Sequence, residues 1–540
     1  MSDTTTPKEI SAEVSVDERG ALCYYGPTSA VHDPLATSAP SPQVPITASE
    51  DFLTKARAAL VAKAKESRMW EGFAISNATV QSEIPRQVIS KLLQLNWTWT
   101  SPMFMWVYRP AFMDDMSTAG PYYSEFLLTV MCAHAASFYD RVVAERLISK
   151  ARLLMGAAIH QESAIPTIQA LLVLSARDLG QGAISQAWLF SGMAFRMARD
   201  LGLHLTESTI PNLNPIDVEV RRRLFWGSYF WDKAMSLYTG RLPALTELPE
   251  NVSVEFLDDS AESELWMPLT TESFTMSIVS ENDYPPMKGH IVSCFANSCR
   301  LSTIISDVIL QLYSKQSQVE ANSALENIRG RLDTWRQETP PHLRYDDNKL
   351  PAICPPPHIL SQNLLYHTTV ILTHRPFWAS REHYQACILA AHSIEKLLLL
   401  LERTFTFTNI TYMMAYCVYT GASAILPDAR NGDPEAQAKI QTFTRALQSS
   451  LQRCPLVKRS LKIIEKGLRK TAPQPPALDA QNVDMIPQPP TYIPAFPYVG
   501  LEGQFDMNAD FDFGISMDQL SALDCFPEAH MSSDDPLMLR

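Results

Sequence analysis

Between Asn214 and Gly240 the chain carries a helix signal that is closed at both ends and apolar almost all the way round. Asn214-Pro215-x-Asp217 supplies an N-cap side chain, a proline at the first helical position and an acid at the third. Gly240 supplies a residue that tolerates left-handed backbone as a stop. Within these limits Val220, Leu224, Gly227, Trp231, Ala234 and Tyr238 recur at spacings of four and three, while Trp226, Phe230 and Leu237 lie off that stripe. A helix with so little polar surface has to be surrounded. The chain must therefore supply other helices to cover it, and a central, buried helix in a multi-helix fold is predicted.

The rest of the sequence offers those helices. Thr47-x-x-Glu50 has capping-box spacing, and Phe52, Ala56, Leu60 and Ala64 follow at every fourth position. Tyr122 to Ser137 is a mostly apolar run without glycine or proline. Ala187 to Leu201 sets Phe190, Ala194, Met197 and Leu201 on one stripe, with Gly202 as its stop. No alternating run with turn signals argues for a sheet. The fold class is all-α: one large multi-helix domain over 47–470, with a disordered N-terminal arm and a disordered C-terminal tail. Residues 1–46 are polar and proline-punctuated and read as a flexible arm. Ser260 to Lys288 and Pro340 to Pro357 read as exposed connections. Eight prolines between 473 and 497 make 471–500 an extended linker, and 501–540 holds nine acids interleaved with phenylalanines.

Composition narrows the class. Hydrophobic residues are 46% and charged residues 19% of the chain, enough for a sizeable core, and the net charge of −13 argues against a surface built to bind nucleic acid. The nine cysteines are scattered, with Cys294 and Cys299 the tightest pair, as expected of reduced intracellular thiols. The N-terminus has no apolar signal region. The run from Ile388 to Leu401 is broken by His392, Glu395 and Lys396, so no membrane role is expected.

Two blocks carry a resemblance. One is Gln186 to His204, containing Trp188, Gly192, Arg196, Asp200, Gly202 and His204. The other is Glu219 to Pro243, containing Arg221-Arg222-Arg223, Trp226, Asp232 and Gly240-Arg241. With Leu92 to Trp97, Val107-Tyr108-Arg109-Pro110-Ala111-Phe112, Ile168 to Leu172, and Tyr366-His367 followed by His374-Arg375-Pro376-Phe377, they stand in an order that closely resembles the fungal-specific transcription factor domain. This is the regulatory middle region of Zn2Cys6 activators, and the likeness spans about 85–430. Tyr108 stands where the family usually has histidine. A zinc cluster of this family needs C-x2-C-x6-C and a matching second half, because six thiolates share two zinc ions; no such spacing occurs in this chain.

The residues themselves assign these signatures to structure. Three consecutive arginines on a helix cover roughly 200° of its circumference, so Arg221, Arg222 and Arg223 cannot share one groove-reading face. Glu219 stands three and four residues before Arg222 and Arg223, at ion-pair spacing. Ser191, Gly192 and Ala194 suit close helix approach, Pro376 ends a helix, and Asp232 is expected to be a buried partner for an arginine. His367 and His374 lie seven apart, but no Cys, Asp or Glu completes a metal set, so no metal or other cofactor is expected. Asp258-Asp259-Ser260-Ala261-Glu262 fits a prenyl-diphosphate magnesium motif in form only. Asn282-Asp283 runs into Tyr284-Pro285-Pro286 instead of the required second motif, and a solvated acidic loop is expected. No phosphate loop, nucleophile elbow or dinucleotide fingerprint occurs, so no enzyme is expected.

Interaction candidates lie at the flanks. Lys458, Arg459, Lys462, Arg469 and Lys470 form either the solvated face of a last helix or a nuclear-import patch. Phe505, Phe511, Phe513 and Phe526, kept exposed by acids, suit capture by a coactivator. The resemblance implies a nuclear transcriptional regulator or co-regulator, able to shuttle with the cytoplasm, that controls a secondary-metabolite cluster or nutrient use. It would act without its own zinc cluster, through self-association or a DNA-binding partner, and direct DNA contact is not expected. The alternatives are a truncated Zn2Cys6 activator and, from the acidic motif, an all-α magnesium-dependent prenyl-diphosphate enzyme.

Overall fold

The computed structural model describes residues 13–16, 22–25, 29, 50–82, 84–205, 213–248, 253–271, 274–275, 277, 279, 283–315, 319–346 and 349–469. Most of the 1–46 arm, Lys470, the 471–500 linker and the 501–540 tail lie outside these residues. Fifteen α-helices occur among those described. The N-terminal half holds α1 (Glu50–Ser82), α2 (Arg86–Leu95), α3 (Arg109–Thr118), α4 (Glu125–Tyr139), α5 (Arg141–Ala158), α6 (Ile165–Gly180), α7 (Ile184–Asp200) and α8 (Pro215–Thr239). The C-terminal half holds α9 (Ile291–Asp307), α10 (Ala321–Glu338), α11 (Pro357–His374), α12 (Arg381–Phe405), α13 (Tyr412–Asn431), α14 (Pro434–Ser450) and α15 (Val457–Leu468). Consecutive helices pack in pairs, α4 on α5, α6 on α7, α11 on α12 and α13 on α14. Contacts of α4 with α6 and of α11 with α13 join the pairs, and α8 on α9 links the two halves.

The all-α expectation is met, with three short antiparallel ribbons added: β1 (Glu13–Val16) with β2 (Leu22–Tyr25), β3 (Leu265–Trp266) with β6 (Met287–Lys288), and β4 (Thr270–Thr271) with β5 (Phe274–Thr275). The first lies where a flexible arm was expected. Val14 and Val16 pair with Tyr24 and Leu22, a β-branched and aromatic alternation too short to stand out in the sequence.

α8 is capped at both ends as its sequence dictates. The Asn214 side chain accepts from the amides of Ile216 and Asp217, Asp217 accepts from the Asn214 amide, and Gly240 is left-handed at φ 67°. Every residue from Glu219 to Leu237 is buried. α7 ends in a Schellman turn: the Gly202 amide donates to Arg199 and the Leu203 amide to Ala198, with Gly202 at φ 62°. Of the expected stripe, Ala194 and Leu201 are buried. Ala187, Ser191, Ala194, Phe195 and Ala198 face inward, while Phe190 and Met197 are half-buried, because small residues let α7 approach α6 closely.

Both expected connections are corrected in part. Trp266 and Tyr284 are buried against Phe405 at ring separations of 5.7 and 5.9 Å, and the Trp266 indole donates to the Thr98 carbonyl. In the second connection Leu343 and Cys354 are fully buried and the Cys354 amide donates to Thr404. Polar and proline-rich sequence hid these anchors, which are single residues without period. By length and composition α12 is the one described helix able to cross a membrane, and it lies in the bundle with Lys439 of α14 paired to its Glu395.

Candidate functional site

The two signature blocks meet around Trp231. Its indole N–H lies 3.2 Å from Ser175 Oγ of α6 and 3.1 Å from Ser191 Oγ of α7, and its ring meets Phe104, Trp106 and Tyr412 edge-on at 5.3, 5.6 and 5.3 Å. Tyr412 opens α13, so this aromatic cluster ties both halves to α8. The close approach needs Gly227, because a Cβ there would come within 2.5 Å of the Phe104 carbonyl and 2.7 Å of the Trp106 ring. Gly192, expected to serve the same purpose, has no such neighbour.

The arginine triplet diverges around the helix, and each guanidinium ends on a different structural acceptor. Arg221 donates to the carbonyl of Leu201, tying α8 to the end of α7, and Arg222 donates to the carbonyl of Glu255. Arg223 is 3% exposed, pairs with Glu219 at 2.6 Å and donates to the Asp258 carbonyl at 2.7 Å. The second Glu219 oxygen accepts from the Leu257 amide, and Tyr108 donates to Asp258 Oδ2 at 2.8 Å. Burial works against the Arg223 charge, but Glu219, Tyr108 and Asp258 outweigh it and hold its pKa above the ordinary value. Burial and then Asp258 push the Tyr108 hydroxyl up, so it stays a donor. Asp258 is therefore no solvated loop acid. It is 2% exposed and serves as the anchor for the chain leaving α8.

Asp232 pairs with Lys233 at 2.9 Å, not with an arginine. It also accepts from the amides of Ala244 and Leu245 at 3.0 and 2.9 Å, and Lys233 donates to the Leu245 carbonyl and sits 3.8 Å over the Tyr229 ring. Adjacent opposite charges can satisfy each other in a closed core when backbone groups complete their shells. Burial lowers the Lys233 pKa despite that partner. Nearby, Arg241 lies 4.9 Å over the half-buried Trp188 ring, while Arg196 and Asp200 are exposed. Trp226 donates to the Ser253 carbonyl, and His204 is half-buried with the Tyr24 ring edge-on at 4.8 Å.

At the far end, His374 closes α11 with its ring nitrogen 2.9 Å from His383, and Arg375 donates to Thr420 and Ser423 of α13. Pro376 stops the helix, although Arg375 keeps right-handed helical backbone and the chain leaves through a 3-10 turn. α15 buries Val457, Leu461 and Ile464 and turns Lys458, Arg459, Lys462 and Arg469 to the surface. A polar cavity of about 160 Å³ opens between the α4–α5 junction, α6 and the turn before α15, lined by Asp140, Arg141, Glu145, Arg177 and Arg453 among others.

The acidic motif of the sequence is split. Asp258 serves α8, whereas Glu262 turns to the start of α9. There it accepts from the Ser293 hydroxyl at 2.6 Å and the Ser293 amide at 2.9 Å, and lies 2.9 Å from His290 Nδ1. His342 stacks on His290 with ring centroids 4.0 Å apart. The sequence reading missed this group because its histidines come from two loops, each lone and without a motif. Glu262, the last acid of the motif, and the glycine at Gly289-His290 were the hints.

The geometry defines a helical domain organised around a buried charged hub, with no part of the triplet turned outward. The family model described as the fungal specific transcription factor domain matches residues 93–337, inside the 85–430 span, with the Tyr366 to Phe377 piece beyond it. The chain is 30% identical over 276 residues to an uncharacterized transcriptional regulatory protein of Schizosaccharomyces pombe, covering 48% of this chain and 68% of that protein. It is 27% identical over 421 residues to the nitrogen assimilation transcription factor nirA of Emericella nidulans, covering 72% of this chain and 46% of the relative. To the nitrogen assimilation transcription factor nit-4 of Neurospora crassa it is likewise 27% identical over 421 residues, covering 71% and 37%. The chain belongs to the fungal specific transcription factor domain family. It spans less than half the length of nirA and nit-4.

Proposed function

We propose that the chain is a nuclear regulator of transcription whose helical body is a regulatory core and whose 501–540 tail captures a coactivator. The observation that carries this is the family membership, together with the burial of its signature arginines in a structural hub. The triplet is consumed in holding α8 and is not a promoter contact; in this reading a DNA-binding partner or self-association brings the helical body to promoters. Nutrient use is the favoured pathway, supported by relatives named for nitrogen assimilation in two fungi. Family and relatives are transcription factors, and Asp258 and Glu262 engage separate protein partners, so nothing supports the prenyl-diphosphate alternative.

The test is a reporter assay with the full chain fused to a heterologous DNA-binding module. Activation is expected, with a several-fold loss on changing Phe505, Phe511, Phe513 and Phe526 to alanine. Equal reporter output from the fusion and the bare module would overturn the activation role. A fluorescent fusion with Lys458, Arg459, Lys462, Arg469 and Lys470 changed to glutamine is expected to lose nuclear accumulation. Unchanged accumulation would leave those residues as a solvated helix face.

A further inference from the structure

We propose that Glu262, His290 and His342 form a binding site for a borderline-soft divalent cation of the zinc type, clamping the α8–α9 connection to the α10–α11 connection. The ligand atoms of all three lie within 4.8 Å of one another. His290 Nδ1 is 2.9 Å and His342 Nε2 is 3.9 Å from the same oxygen, Glu262 Oε1. Zinc holds imidazole nitrogen and carboxylate oxygen at about 2.0–2.2 Å, which sets tetrahedral ligand atoms roughly 3.3 Å apart. These two separations bracket that value, and an ion is admitted when the two stacked imidazoles turn their nitrogens toward a shared point.

Three further features fit a built site. The carboxylate is oriented by the Ser293 hydroxyl and amide, as the outer shell of a metal ligand usually is. Within the α8–α9 connection, the Gly289 amide on the Glu264 carbonyl at 2.7 Å and the His290 amide on the Glu262 carbonyl at 3.2 Å hold Glu262 beside His290. His290 itself adopts left-handed backbone at φ 49°, a conformation that a non-glycine residue rarely takes. It stands at the N-cap of α9 without capping the helix, and its ring goes to Glu262 instead. Glu262 caps α9 through Ser293, and His342 Nε2 also lies 3.4 Å from the Ser293 hydroxyl, so both imidazoles and the carboxylate present polar atoms around one serine. The His342 side chain is 41% exposed, so the group can be reached from solvent.

The full chain, stripped with chelator, would be titrated with zinc chloride and, separately, with cobalt chloride as a spectroscopic probe. Wild type is expected to bind one more equivalent than His342→Ala and to show a tetrahedral cobalt absorption that the variant lacks. At a free zinc concentration one hundred times Kd, its unfolding equilibrium should shift about a hundredfold. Glu262→Gln should lose the same equivalent. His342 is exposed enough for its replacement to leave the fold intact, which circular dichroism checks. Identical stoichiometry and zinc-independent melting in wild type and both variants would overturn the site and leave Glu262 as a helix cap.

Discussion

Arg223 takes its charge partners from three separated parts of the chain: Glu219 one turn earlier, Tyr108 near α3 and the Asp258 segment after α8. Breaking a buried pair strands the remaining charge, so Arg223→Met or Glu219→Gln should each cost about 3–5 kcal/mol. Glu219→Gln with Arg223→Met should cost less than the two single changes summed. Urea unfolding of all three variants measures this, and additive losses would show that the two side chains act independently. A different residue sets a pH limit. Burial first, and then Arg177, hold His134 down at about 3, against an ordinary value near 6.5. The unfolded chain takes up the proton first as pH falls. Stability is therefore complete above pH 6.5 and declines through the window down to about 3, by on the order of 1 kcal/mol per pH unit. His134→Gln should flatten that decline in urea melts at pH 7 and 5; an unchanged slope would place the acid sensitivity elsewhere.

At the scale of single elements, α8 shows what was legible. Its start, its stop and its all-round burial follow from Asn214, Asp217, Gly240 and the aromatic run between them. Local chemistry decides such features. The inward face of α7 was legible in part: Ala194 and Leu201 of the expected stripe are buried, whereas contact with α6 favours Ala187, Ser191 and Ala198 over Phe190 and Met197. Asp258, Trp266 and Tyr284 were missed for a related reason: a residue that docks alone leaves no period in the sequence. The arginine triplet was assigned to structure from spacing, but its acceptors are mostly backbone carbonyls, which no sequence pattern announces. Gly227 offers a clean test at this scale. Alanine is the better helix former by about 1 kcal/mol. Even so, Gly227→Ala should destabilise the protein by about 1–3 kcal/mol, because its Cβ meets the Phe104 carbonyl rather than a flexible side-chain end. A higher melting temperature in that variant would show that the 104–106 segment can move away. Asn214→Ala should cost about 1 kcal/mol through the lost cap.

Across the whole molecule, the cluster of Phe104, Trp106, Trp231 and Tyr412 makes the two helical halves depend on each other. Tyr412 is half-buried, so Tyr412→Ala should lower stability by about 2–4 kcal/mol, somewhat less than a fully buried aromatic truncation. It should still leave one unfolding transition by both circular dichroism and tryptophan fluorescence, and two separated transitions would show that the halves are autonomous. Charge is partitioned on the same scale: a chain of net charge −13 turns the cations of α15 outward and the arginines of α8 inward. The unbroken burial of α8 has a consequence for genetics. Missense alleles collected in its sequence would behave as recessive, heat-sensitive losses of the whole protein, whatever gene it controls. Alleles that separate one activity from another would have to be sought away from that helix, where a side chain can change without emptying the cell of the product.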